Sequence, residues 1–212
     1  DTNAPTTGAR TVRFVLTDGD GGTSPSYNTT VTVSAVNDAP VLADLALSLT
    51  VAEDAGAPSG AVGSLISTFT GGITDVDSGA SKGIALTGSN QTNGTWYYTR
   101  NGGTTWTAVG TVSNTSALLL ADNASTRLYF APRANYSGTS TAALTVRAWD
   151  QSSGTAGSKV STATNGGTTA FSSATDTVDV TVTAVNDAST IASLSGDSRA
   201  YSEGAGAVVI ES

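Results

Sequence analysis

The sequence predicts an all-β chain of antiparallel Greek-key sandwich repeats in tandem. Three observations carry this. Apolar residues alternate with Thr, Ser or Asp at period two in one segment after another, the pattern of half-buried strands. Gly, Ser and Asn clusters separate those segments, and no window shows a capped helical period. A set of landmarks also returns in order. Ala35-Val36-Asn37-Asp38-Ala39-Pro40 reappears as Ala184-Val185-Asn186-Asp187-Ala188-Ser189, 149 residues later. Thr11-Val12-Arg13 likewise matches Thr145-Val146-Arg147, and Ala52-Glu53-Asp54-Ala55-Gly56 matches Ser202-Glu203-Gly204-Ala205-Gly206. The expected division is 1–37 as the tail of one repeat, 38–187 as a complete repeat, and 188–212 as the head of a third.

Taken in order, Thr11–Arg13 and Thr30–Val33 read as the two strands of the first piece. Leu45-Ala46-Leu47-Ser48-Leu49-Thr50-Val51 alternates without a break. Trp96 to Trp106 reads as a hairpin, with Asn101-Gly102 as a two-residue type I′ turn that sets Tyr97 opposite Trp106 and Thr99 opposite Thr104. Leu128/Phe130, Leu144/Val146/Ala148 and Val178/Val180/Val182 read as core-facing sets, with Trp149 interior or edge-covering. Gln151 to Thr175 is a Gly/Ser/Thr-rich excursion; Val160 and Phe171 suggest an extra hairpin in it, because a structureless loop of that length is unusual. A lone hairpin is marginal in water, so the end pieces read as parts of a longer array, and the first residues read as mid-chain.

Composition excludes much chemistry. The 212 residues contain no His, Cys or Met. That removes a Ser–His–Asp triad, a Cys nucleophile, a Cys/His zinc site and disulfides. Seventeen acids against nine bases leave a net charge of −8, which disfavours nucleic acid and anionic membrane and favours cations. No apolar run approaches the roughly 18 to 20 residues of a membrane span.

The acids cluster beside Gly and Asn. Asp75-Val76-Asp77-Ser78-Gly79 places two carboxylates at i and i+2, about 6.6 Å apart if the segment is extended. Asp150 ends a strand ahead of a flexible loop. Asn37-Asp38 and Asn186-Asp187 occupy short junctions, and Glu53 lies near the first strand of the complete repeat. Such a density of hard oxygen donors suits Ca²⁺; the plainer reading is a set of solvated turns and linker caps. Asp54 reads as a surface residue. A carboxylate-pair glycosidase would need separations of roughly 5 Å or 6.5 to 9.5 Å, but no cleft is suggested, and the chain does not read as an enzyme.

These residues carry a resemblance. Glu53, Ser59-Gly60-Ala61-Val62 and Asp75-Val76-Asp77-Ser78-Gly79, followed by Ala148-Trp149-Asp150 and Val185-Asn186-Asp187-Ala188, resemble the cadherin pattern. Phe130-Ala131-Pro132-Arg133-Ala134-Asn135-Tyr136-Ser137-Gly138, ahead of Thr145-Val146 and the Val-Asn-Asp-Ala linker, is similar to cadherin-like and Ig-like repeats of giant bacterial surface adhesins, of the type I secreted, repeats-in-toxin-like kind. The resemblance implies a calcium-rigidified extender, outside the cell or on its surface, whose partners are neighbouring repeats, other copies of the protein or surface glycans. It implies ligation by Asn37, Asp38, Asp75, Asp77 and Asp150 at the first junction and by Glu53, Asn186 and Asp187 at the second. The family's additional acid is missing near Ala131-Pro132-Arg133-Ala134, which implies one or two ions per junction. Asp18 and Asp20 would occupy the corresponding site of the preceding repeat, without an Asp-x-Asp partner. A recognition module is the alternative, with Trp96, Tyr98 and Trp106 stacking on a sugar or a partner surface.

Overall fold

The computed structural model describes residues 5–188; the expected head of a third repeat, and with it the Ser202–Gly206 landmark, lies outside them. The chain is all-β. Its strands run β1 (Gly8–Phe14), β2 (Tyr27–Val33), β3 (Val41–Leu42), β4 (Leu47–Ala52), β5 (Ser64–Leu65), β6 (Ile73–Thr74), β7 (Gly83–Ser89), β8 (Gly94–Thr99), β9 (Thr107–Ala108), β10 (Ala117–Ala121), β11 (Arg127–Pro132), β12 (Gly138–Trp149), β13 (Lys159–Val160) and β14 (Asp176–Thr183), with one 3₁₀ turn at Ile66–Phe69. No helix among the described residues is long and apolar enough to cross a membrane.

Two sheets form the sandwich. The larger has the order β13-β10-β7-β12-β14-β4 and the smaller β5-β11-β8-β9. Ile84, Leu86, Leu118, Leu120, Val146, Val178 and Val180 of the first meet Trp96, Leu128 and Phe130 of the second in one buried core. The period-two sets are the inward positions, which is why the polar residues between them are tolerated.

Among the described residues, pairing between the strands is antiparallel except at one place. β14 and β4 run parallel in unbroken register from Val178↔Leu47 to Thr183↔Ala52. A parallel neighbour starts at the same end of the sheet, so the chain comes in at one pole and leaves at the other. Asp176 fixes the start of this pair: its buried carboxylate accepts the Leu45 amide at 3.1 Å and the Thr177 amide at 2.7 Å.

The Phe130–Gly138 motif is the corner between β11 and β12. Phe130 is core, Asn135 is left-handed at φ 58° and Gly138 lies at φ 137°. Tyr136 leans on the core, with its hydroxyl 3.3 Å from Ser140 Oγ. β12 then bulges between Ser140 and Leu144, and the Asp179 carboxylate holds the Ala142 amide at 2.8 Å.

The 151–175 excursion is a cover rather than an independent hairpin. β13 adds to β10, and Phe171 bridges to Trp149. Ala85, Leu119, Trp149, Ala170 and Phe171 form a second buried cluster on the outer face of the large sheet. This is why β10 is buried on both faces, an all-apolar run instead of an alternating one. Arg147 Nη1 ties the cover down, donating to Ser172 O at 2.9 Å and Ser173 O at 2.6 Å.

β1 and β2 form a separate two-stranded sheet. Val31 is 48% exposed, whereas Val180, 149 residues on, is fully buried. The same strand pattern is bare in one place and covered in the other, because no second sheet faces the hairpin among the described residues.

The aromatic hairpin departs from expectation. Tyr97 pairs with Ala108 and Tyr98 with Thr107, so neither expected pair, Tyr97–Trp106 or Thr99–Thr104, forms. Residues 100–106 make a wider loop. Asn101 Oδ1 accepts the Thr105 amide at 3.0 Å and the Thr99 hydroxyl at 2.8 Å, and Thr99 Oγ1 accepts the Gly103 amide at 3.1 Å. Side-chain acceptors displace the tight ladder turn.

Candidate metal centre

Short β3 builds the upper pole. It pairs antiparallel with β6, Val41↔Thr74 and Leu42↔Ile73. The residues just before β3 therefore lie beside those just after β6, and linker Asn37–Pro40 meets Asp75–Asp77. β12 ends at the same pole and delivers Asp150. The Asp38 amide donates to Asp77 Oδ2 at 2.8 Å. Asn37 Nδ2 donates to Asp150 Oδ2 at 2.9 Å, Asp38 O at 3.1 Å and Thr169 O at 3.2 Å. Asp150, only 5% exposed, also accepts the Ser152 amide at 2.7 Å. All five residues expected at the first junction are thus brought to one pole.

Their detailed arrangement differs from the extended pair expected. Asp75 and Asp77 sit in a turn, with the Asp77 amide on Asp75 Oδ1 at 2.9 Å and Gly79 at φ 79°. Asp75 Oδ2 is buried and has no hydrogen-bond donor. An orphaned carboxylate oxygen is costly in a low-dielectric setting. Asp77, Asp150 and the Asn37 amide carry the other side-chain oxygens at this pole, the hard donor type that a divalent cation takes, although Asp75, Asp77 and Asp150 do not converge within 4.8 Å of one another as the lower trio does.

The lower pole holds a tighter cluster. Glu53, Asp54 and Asp187 each offer a carboxylate oxygen within 4.8 Å of the others, the only such acidic trio among the described residues. Glu53 is nearly buried and accepts the Val185 amide at 3.0 Å, which draws the outgoing linker onto the end of β4. Asn186 donates to Asp187 O at 3.5 Å, as Asn37 does to Asp38 O, so both linkers share a local turn. Asp54 is exposed, as read from sequence, and its carboxylate nonetheless belongs to the cluster. Its left-handed backbone, φ 63°, follows directly on β4. The adjacent Glu53-Asp54 pair was the available signal.

Asp187 titrates above the ordinary 3.8. The facing Asp54 carboxylate is the main cause, followed by burial, the Glu53 charge and a side-chain hydrogen bond with Asp54. A raised carboxyl pKa means that the folded chain holds the proton more tightly than the unfolded one. Without a cation, stability at this pole falls as pH climbs from the unfolded value through the raised folded one, and the repulsion persists above it. In chelator, Asp54→Asn should move the Asp187 titration back toward 3.8, as followed by side-chain carboxyl NMR. An unmoved titration would refute repulsion as the cause.

In the first piece, Asp18 Oδ1 accepts the Gly22 amide at 2.8 Å and the Asp20 amide at 3.2 Å. Hydrogen bonding with Asp20, side chain first and then amide, together with the Gly22 amide, holds the Asp18 carboxyl below 3.8. This is a self-contained acidic turn.

The aromatic set is corrected. Trp96 is fully buried, its ring centroid 5.0 Å from that of Phe130, and it cannot stack on a ligand. Tyr98 packs partly against the same core. Trp106 lies apart from both. It donates to Gly60 O at 3.1 Å and meets Tyr129 edge-on at 5.9 Å. The three rings do not form one row, since alternation along β8 turns Trp96 inward.

No family model, no curated protein and no solved structure matches the chain. The resemblance to cadherin-like adhesin repeats rests on the residues that carry it.

Proposed function

We propose that this chain is a structural extender: sandwich repeats joined end to end in a large bacterial surface adhesin or cell-surface fibre, stiffened by Ca²⁺ at the junctions. The observation that carries this reading is the upper pole. The incoming linker is tied to Asp77 and Asp150 there, and neighbouring Asp75 leaves a buried oxygen without a donor. The parallel β4–β14 pair supports it, because linkers at opposite poles stack repeats lengthwise. At the upper pole Asn37, Asp75, Asp77 and Asp150 would hold the ion; at the lower, Glu53, Asp54 and Asp187 would. The ion would supply positive charge that offsets crowded carboxylates, and the chain's own groups hold linker and sandwich in register. Extracellular calcium is millimolar, so modest affinity suffices. The recognition-module alternative loses its central ring with Trp96.

Thermal unfolding in millimolar calcium and in chelator, paired with isothermal titration, tests the proposal. Saturable binding should raise the midpoint by several degrees, since a ligand of the folded state stabilises by RT ln(1 + [L]/Kd). Coincident melting curves with no heat of binding would sink it.

A further inference from the structure

The second half of the 151–175 excursion reaches beyond the sheet it covers. The Ala39 amide donates to Gly167 O at 2.8 Å. Asn37 Nδ2 donates to Thr169 O at 3.2 Å, and the Asp150 amide donates to Ala170 O at 3.2 Å. A short lobe, 165–171, thus touches the linker twice and a junction acid once. The lobe is itself held firmly. Gly166 donates to Phe171 O at 2.8 Å and Thr169 to Gly166 O at 3.1 Å. Asn165 Nδ2 caps Thr162 O at 3.0 Å, and Phe171 is buried against Trp149. Its turn needs two consecutive left-handed residues, Gly166 at φ 70° and Gly167 at φ 59°, which favours glycine at both positions.

We infer that the 165–171 lobe is a protein-made strap that fastens the incoming linker and positions Asn37 and Asp150 without a cation. None of these contacts involves a carboxylate pair that needs neutralising. The strap holds the Asn37 amide at the upper pole, so the donor set is organised before an ion arrives. Such pre-ordering lowers the cost of binding. The calcium arm of this inference rests on the function proposed above; the linker arm does not.

Amide hydrogen exchange on the whole chain, read by NMR in chelator and in millimolar calcium, separates the two. In chelator the Ala39 amide should exchange roughly tenfold or more slowly than the exposed Val36 amide. Gly166→Val with Gly167→Val puts β-branched residues at left-handed positions, which they resist. This variant should abolish Ala39 protection, spare Leu86 and Val180 in the core, and weaken calcium binding about tenfold through lost pre-organisation. If it unfolds, as shown by lost core protection, Asn37→Ala decides. Removing that amide cuts the links to Thr169 and Asp150 and should speed Ala39 exchange. Unprotected Ala39 in the native chain, or protection unchanged in a folded variant, overturns the strap. Protected Ala39 in a chain that binds no calcium supports the strap and removes the metal from the proposed function.

Discussion

Truncating Trp96 to alanine should cost about 3–5 kcal/mol, the cost of deleting a large aromatic side chain from a packed interior. The ring has no solvent exposure and packs on Phe130, and it lies between the two sheets where neighbours cannot collapse freely. For a domain of this size the loss corresponds to a fall in midpoint of roughly 10 °C. The indole nitrogen adds a diagnostic detail. Trp96 Nε1 is buried without an acceptor, so Trp96→Phe removes an unpaired donor along with some volume and should cost much less than the alanine variant. Trp106→Ala should cost about 1 kcal/mol, in line with one net hydrogen bond. Chemical denaturation of the three variants checks the ranking. Equal losses for Trp96→Ala and Trp106→Ala would contradict the buried placement.

The second large effect is an inversion of sign. Asp75→Asn should leave the chain as stable as the native one in chelator, or more so, because it neutralises a buried oxygen that has no donor. In millimolar calcium the same substitution should make the chain less stable than the native one, since a charged ligand is gone. A buried polar atom left without a partner costs about 1–3 kcal/mol, and a charged one more, so the swing should be at least of that order. Parallel melts of both proteins with and without calcium read it directly. A substitution that destabilises equally in both conditions would make Asp75 a purely structural acceptor.

Much of the fold was legible because period-two alternation reports directly on which side chains face the core. Leu128, Phe130, Val146 and Val178 needed nothing more than their spacing. The excursion was harder. Its apolar residues, Val160 and Phe171, stand alone in polar surroundings, and only the three-dimensional arrangement shows that they complete a second cluster with Leu119 and Trp149. The hairpin register failed for a local reason. Asn101-Gly102 favours a tight turn by backbone preference, but the Asn101 and Thr99 side chains compete for the same amides and win. At the upper pole, the resemblance implied the five residues that the fold brings to one end, but not that Asp75–Asp77 is a turn, since residue spacing cannot distinguish an extended pair from a side chain that accepts the amide two residues on. At the lower pole Asp54 escaped because its role depends on one left-handed residue after β4.

The parallel union of β4 and β14 has a mechanical consequence. Tension applied to the linkers at Asn37 and Asn186 would pull these two strands in opposite directions along their own axes. Six residue pairs in unbroken register would then carry load side by side and would have to slip together. Hairpin neighbours, joined at one end, would instead peel open one bond at a time. The sandwich pulled through these two linkers would therefore resist stretching through strand shear, whatever its poles bind.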